Sequence, residues 1–316
     1  VQIQKLGKAS RSVGRLSGGG VDATIEKTRF QRGLRIPRFR TVRYVLLSEF
    51  FTSVDPNSGL MSTQFALRLI FGMSFVWCIM PRREVTSGFF RIQMLVTLGL
   101  AVLAALASGQ IPEAAGEAGP ALSRGTIQIS GGVLALLSFF GSVMWTLERR
   151  VAGTRYAFAI ALGSGVTAVL ASVSTSQFST LHGNLFWLSE LTTALVSGTT
   201  VGGMLLGHWY LTAPSMTTTP LNRVNVWLGG VTGAKLLLGV VTMACWPLIS
   251  AQTKVLDQWN STYAIWLSLT LLGGIFGPLA VCWMVHRILK YKNTQSATGV
   301  LFVGVILAFI GEMTGA

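Results

Sequence analysis

The sequence predicts an all-α polytopic membrane protein, about eight transmembrane helices in a single bundle, and three observations predict it. Charged residues make up 11% of the 316 residues, less than half of the roughly 25% usual in a soluble globular chain. Mean hydropathy is strongly positive. Apolar runs of about 20 residues, the length a hydrocarbon core requires, recur along the chain between short polar links.

Taken in order, residues 1–43 read as a basic extramembrane arm. Eleven of the 25 Lys and Arg fall there, against only Asp22 and Glu26. Ile3, Leu6, Ala9, Val13 and Leu16 repeat at helical spacing with Lys5, Lys8, Arg11 and Arg15 between them, the pattern of a short amphipathic helix that rests on a membrane or a partner. Being rich in Arg and Ser, the stretch also resembles an organellar targeting peptide. Residues 44–60 follow as an interfacial segment and a turn at Asp55-Pro56-Asn57, too short to span. The remainder, 61–316, is the eight-helix transmembrane domain. Its spans fall near 61–80, 88–108, 126–147, 154–174, 185–211, 223–250, 262–286 and 296–315. Aromatic residues such as Trp187, Trp209, Tyr210 and Trp266 gather near span ends, as interfacial anchors do.

Charge in the links sets an orientation. Arg82 and Arg83, Arg149, Arg150 and Arg155, Arg223, and Arg287, Lys290 and Lys292 follow the odd-numbered spans. The opposite links hold only Arg124 and Lys254 beside Glu113, Glu117 and Asp257. The positive-inside rule makes the first set cytoplasmic and puts both termini outside. The membrane expected is a bacterial inner membrane, with an organellar inner membrane as the alternative.

Several function classes are excluded. No phosphate loop, metalloprotease motif or Ser-His-Asp order is present, and no nucleic-acid-binding fold accompanies the basic arm. Cys78, Cys245 and Cys282 each lie inside an apolar run without a CxxC and read as small buried hydrophobes. Glycine is abundant, at 36 residues. Gly203/Gly207, Gly229/Gly233 and Gly273/Gly277 form GxxxG pairs, read chiefly as tight packing within the bundle.

The informative residues are the charges inside the spans, because an intramembrane ionisable side chain costs several kcal/mol unless it is paired or neutral. Span five, 185–211, carries Glu190 and, five helical turns later on the same face, His208. Ser197, Val201 and Met204 lie on the stripe between them. Counting residues from span ends puts Arg68, Glu190 and Glu312 at nearly one depth in the outer third, so Arg68 is expected to neutralise one of the carboxylates. Read structurally, the trio is a buried ion pair that fixes helix order. Read functionally, it is a quinol or proton pocket. Lys235 is expected near mid-membrane with no carboxylate at its depth, and Arg91 at a span edge. His208 and His286 come near inner span ends and are the candidates for a b-type haem or metal ligand pair.

Two segments resemble known groups. The stretch GHWYLTAPSMTTTPLNR at 207–223, with PRREVTSGFFR at 81–91, looks like an uncharacterised group of bacterial polytopic proteins. The last span, GVLFVGVILAFIGEMTG, is similar to the final helix of quinol-interacting anchor subunits of the DmsC and NrfD type, the core of the likeness being IGEMTG around Glu312. That resemblance implies an eight-helix membrane partner of a redox enzyme. The expected function is therefore a non-catalytic integral subunit of a respiratory or photosynthetic electron-transfer complex, with quinone as the first candidate cofactor and haem b behind it. Its partners would be other membrane subunits, met through the arm and the glycine-rich helix faces, together with lipids and, in a photosynthetic setting, pigments. A proton-coupled small-solute transporter using Lys235 and Glu190, or a b-haem electron-transfer protein, are the alternatives.

Overall fold

The chain folds as an all-α polytopic bundle. The structure, a computed structural model, describes residues 58–111, 122–172, 181–213, 216–250 and 261–315. The basic arm and the interfacial segment up to residue 57 lie outside the described residues. The helices are α1 (Ser58–Ile79), α2 (Ser87–Ser108), α3 (Arg124–Thr146), α4 (Arg150–Ser172), α5 (Leu181–Thr212), α6 (Thr219–Ser250), α7 (Ser261–Leu271), α8 (Gly277–Leu289) and α9 (Thr294–Gly315). A π-helical segment, Leu272–Phe276, joins α7 to α8. With α7, the π-helical segment and α8 taken as one span, each expected span coincides with a helix to within about four residues.

Seven helices among the described residues are long and apolar enough to cross a membrane. The eighth, α5, is the longest together with α6, at 32 residues, yet it falls short in apolarity because Asn184, Glu190, His208 and a run of Ser and Thr interrupt it. Packing explains why that is tolerated. α5 lies against α1, α6 and α9, with a lesser contact to α4, so protein covers the Ser and Thr run at its middle, while Asn184 and His208 are exposed toward its ends. Ser197, Thr199 and Thr200 are buried, and Thr199 and Thr200 donate to carbonyls one turn back, at 2.6 Å each, the usual way a helix interior satisfies a hydroxyl.

Around this axis α1 packs on α4, α5 and α2, and α2 on α3. Trp77, Phe89, Phe90, Met94, Ile127, Trp145 and Ile160 fill the space between α1, α2, α3 and α4, with Phe90 and Trp145 stacked at 4.3 Å. On the other side Leu206, Leu221, Leu228, Val281, Val285 and Leu301 close α5, α6, α8 and α9. Leu106, Leu162, Leu237 and Trp283 are exposed, which is the outer surface that lipid would wet. The α3–α4 and α8–α9 links are short, and each turns through a non-glycine residue in the left-handed region, Glu148 and Lys292, both at φ 55°. Ser123 caps α3 by accepting from the Thr126 amide at 3.3 Å.

Two glycine crossings set the closest helix approaches. A Cβ on Gly72 of α1 would collide with the Ala194 carbonyl and with Gly198 of α5, and a Cβ on Gly311 of α9 would strike Gly273 and Gly274 of the π-helical segment. The GxxxG pairs largely pack inside the bundle as expected: Gly203 faces Val224 and Leu301, Gly207 faces Thr298, Gly229 faces Cys282, and Gly277 faces Leu307. Gly233 differs, with open space where its Cβ would stand.

Candidate functional site: a buried charge cluster beside an apolar groove

The two glycine crossings place the charges. Gly72 follows Arg68 by one turn and Gly198 adjoins Ser197, so α1 and α5 touch close to the charges, while Gly311, which precedes Glu312, lays α9 against the π-helical segment. The Arg68 guanidinium donates from Nε to Glu190 Oε2 at 2.8 Å, and its Nη2 lies 2.5 Å from the same oxygen. Its Nη1 is 3.6 Å from Glu312 Oε1, an ion pair longer than a hydrogen bond. Ser197 donates to Glu312 Oε2 at 2.5 Å. Ser172, at the end of α4, has its hydroxyl 3.0 Å from Glu190 Oε2 and 2.9 Å from the Ala168 carbonyl, so its single proton serves one or the other. Glu312 Oε1 is buried and has no hydrogen-bond donor. The grouping of Arg68, Glu190 and Glu312 expected from depth is thus present in space, with Arg68 bound more closely to Glu190.

Lys235 requires a correction. It was expected to stand at a depth without a carboxylate, yet it lies within electrostatic range of Glu312, Arg68 and Glu190. Its Nζ is 3.4 Å from the point a Cβ on Gly274 would occupy, a point itself 3.5 Å from the Gly311 Cα. The reason is geometric. α6 begins at Thr219 rather than 223, which raises Lys235 by about 6 Å at a rise of ~1.5 Å per residue, and the glycines of the π-helical segment leave room for its long side chain. The cluster is therefore four ionisable groups from four helices, two cations and two carboxylates, with no net charge when all are ionised.

The burial of the members differs, and Glu190 is the least buried of the three bonded groups. The Arg68 and Glu312 side chains are 6% and 2% exposed, whereas Glu190 is 13% exposed. Near Glu190 runs a groove of about 510 Å³ whose walls come from α1 (Phe71), α4 (Ala161 to Leu170) and α5 (Trp187 and Leu191), all of them apolar, with Glu190 next in sequence to the lining Leu191 but not itself in the wall. These are the three helices that supply Arg68, Ser172 and Glu190, each within about one turn of a lining residue. The lining is apolar and includes lipid-side residues such as Leu162 and Val166, both exposed. Its volume falls in the range of small-ligand sites.

The histidines are elsewhere. His208 and His286 are both exposed near the ends of α5 and α8, and α8 packs chiefly on α6 and α9. Among the described residues no group of three or more His, Cys, Asp or Glu is placed to hold a metal. The three cysteines are free and half-buried, with Cys282 Sγ against the Asn225 carbonyl at 3.2 Å. Arg91 is exposed on α2. His182 falls in the first turn of α5.

The two segments that carry the resemblance to uncharacterised bacterial proteins, 81–91 and 207–223, meet in space. Trp209 Nε1 donates to Thr86 Oγ1 at 2.9 Å, Thr217 Oγ1 to Glu84 Oε2 at 2.5 Å, and the Tyr210 hydroxyl to the Thr217 carbonyl. They form a latch that ties the α1–α2 link to the α5–α6 link at the end of the bundle away from Glu190. No family model, curated protein or solved structure matches the chain. Its reading rests on chemistry.

Proposed function

We propose that this integral membrane protein is a non-catalytic subunit of a respiratory or photosynthetic electron-transfer complex and that it binds a quinol in the groove beside Glu190. The observation that carries the reading is that the helices bearing the Arg68–Glu190 pair also wall an apolar groove, through Phe71 and Leu191 within one turn of the pair. A quinol is a lipid-soluble ring with a hydroxyl at its edge. An apolar wall suits the ring and tail, and the Glu190 carboxylate suits the hydroxyl as a hydrogen-bond acceptor and proton acceptor. Arg68 balances the charge of that carboxylate, and Ser172 supplies a second polar contact. The similarity of the last span to quinol-interacting anchor subunits supports the same reading, since Glu312 of that span is a member of the cluster. With the positively charged links on the cytoplasmic side, the Glu190 end of the bundle would face outward from a bacterial inner membrane. The electron acceptor would then belong to another subunit of the complex.

The test is binding of decylubiquinol to the purified full chain in lipid nanodiscs, followed by quenching of Trp187, with Trp187→Phe identifying its share of the emission. Saturable quenching that is weakened at least about tenfold in Glu190→Gln, equivalent to roughly 1.4 kcal/mol, and lost in the groove-filling Val166→Trp supports the reading. Quenching that neither substitution changes would remove it.

A second reading is favoured by one observation. The π-helical break at Leu272–Phe276 sits beside Lys235 and Glu312, and interrupted helices at polar intramembrane sites are a feature of proton-coupled carriers. Solute uptake by the isolated chain in liposomes separates it from the subunit reading.

A further inference from the structure

The start of α4 gathers positive charge that the Arg68 cluster does not use. Arg82, in the α1–α2 link, turns its side chain back along α1, and its Nη2 donates to the Cys78 carbonyl at 3.3 Å. The same guanidinium lies over the Phe158 ring of α4, with Cζ 5.5 Å from the ring centroid, where the face of the ring attracts a cation. Arg150, the first residue of α4, donates from Nη1 to the Arg82 carbonyl at 3.3 Å. Arg155 is exposed and precedes Phe158 by three residues, so it stands on the same face of α4, about 4.5 Å along the helix. The α1–α2 link and α4 thus bring three guanidiniums to one place, and two of them are held there by the fold.

No carboxylate is paired with them. Among the described residues the ion pairs involve Arg68 alone. The acids of the two adjoining links are Glu84, which accepts from Thr217 in the latch, and Glu148, exposed at the left-handed turn before Arg150. Arg82, Arg83, Arg149, Arg150 and Arg155 outnumber these two by three positive charges. The surface that continues from the arginines is apolar: Phe158 and Leu162 follow Arg155 on one face of α4 and both are exposed. Cations that open directly onto a lipid-covered face fit an anion that carries a hydrocarbon chain. The planar fork of arginine matches phosphate oxygens in pairs. An acidic protein segment would match the charge but would have no use for the apolar lane beside it.

We propose that Arg82, Arg150 and Arg155 hold the phosphate of an anionic phospholipid at the start of α4, with one acyl chain lying on Phe158 and Leu162. A guanidinium has five N–H donors. Arg82 and Arg150 each use one on a backbone carbonyl, which fixes their place and leaves the others for phosphate oxygens. Phe158 serves twice, holding the Arg82 guanidinium on its face and offering its exposed edge to the chain. The bound phosphate would tie the α1–α2 link to α4, reinforcing the Arg150 bond that already joins them. The site is independent of the quinol reading. Ser172, beside Glu190, is fourteen residues beyond Phe158 on α4, about 21 Å at the α-helical rise.

The experiment is native mass spectrometry of the delipidated full chain, titrated separately with dioleoylphosphatidylglycerol and dioleoylphosphatidylcholine, which differ in charge but not in chains. The first phosphatidylglycerol is expected to bind more tightly than the first phosphatidylcholine. That preference falls about fivefold for each of Arg82→Gln, Arg150→Gln and Arg155→Gln, the share of one basic residue near an anionic lipid. Arg287→Gln is the control: Arg287 lies over Trp283 at 5.9 Å on its own helix, at the same end of the bundle, and its loss leaves the preference unchanged. Arg155 makes no hydrogen bond within the described residues, so Arg155→Gln carries the test should the other two variants not fold. Equal affinity for the two lipids overturns the proposal. So does a preference that Arg287→Gln lowers as much as the three substitutions do, since the charge would then act as a general field. Displacement of the lipid by glycerol 3-phosphate would mean a site for free phosphate, and displacement by hexaglutamate a site for an acidic protein segment; either overturns it. No quinol is present, so failure here is distinct from failure of decylubiquinol to quench Trp187.

Discussion

Replacing Arg68 with methionine tests the cluster as a source of stability. Methionine follows much of the arginine stem, so the loss is chiefly the guanidinium and its contacts with Glu190 and Glu312. Removing one partner of a buried pair leaves the other uncompensated, at about 3–5 kcal/mol. Here two carboxylates lose the same cation. Glu190 keeps its contact with Ser172, and Glu312 keeps Ser197 and the nearby Lys235, so the expected loss stays within that range of about 3–5 kcal/mol rather than doubling. Glu190→Gln in the Arg68→Met background recovers part of it, because the uncompensated charge is gone while Glu312 remains. The assay is unfolding of the full chain in mixed micelles by titration with SDS, followed by circular dichroism, for wild type, each single variant and the double variant. An Arg68→Met protein within about 0.5 kcal/mol of wild type, the range of an ordinary surface substitution, would refute the reasoning, as would a double variant less stable than the sum of the singles.

Other substitutions follow from contacts on the page. Gly72→Ala puts a methyl group into the Ala194 carbonyl and Gly198, so α1 and α5 must part, and the midpoint in SDS is expected to fall sharply. Gly233→Ala, by contrast, meets open space and should be neutral or stabilising by about 0.5–1 kcal/mol. Thr217→Val removes the bond to Glu84 and should lower stability by about 1 kcal/mol while leaving decylubiquinol quenching of Trp187 unchanged, since the latch is remote from the groove. Ser172→Ala removes a contact to Glu190 but none to Glu312 and is expected to weaken that quenching severalfold with little change in the unfolding midpoint.

The span pattern was legible because lipid imposes one rule on every crossing segment, and the chain obeys it by length and hydropathy. The trio Arg68, Glu190 and Glu312 was legible for a related reason: charge inside a span is so costly that each instance must find partners at its own depth, and residue counts give depth. Lys235 misled because depth counted from a span end is only as good as that end. α6 starts four residues before the expected point and runs for 32 residues, longer than a straight membrane crossing needs. Ser172 carried no signal at all, since a serine in a membrane helix usually bonds back to its own helix and Ser172 has that option too. The Gly72–Gly198 crossing lies outside the GxxxG pairs singled out in the sequence, because a single glycine on each helix suffices for a close approach. The π-helical turn was foreshadowed only by the Gly273-Gly274 pair. The groove depends on how α4 diverges from α5, which no local pattern encodes.

Photo-crosslinking with an azido-ubiquinone on the full chain in nanodiscs, with the labelled peptides read by mass spectrometry, tests the central claim most directly. The account predicts label on α4 and α5 around Leu162, Val166, Trp187 and Leu191, competed away by unlabelled decylubiquinol and reduced in Glu190→Gln. Label spread evenly over lipid-exposed residues, or concentrated on α6 and α7 and indifferent to the competitor, would contradict it.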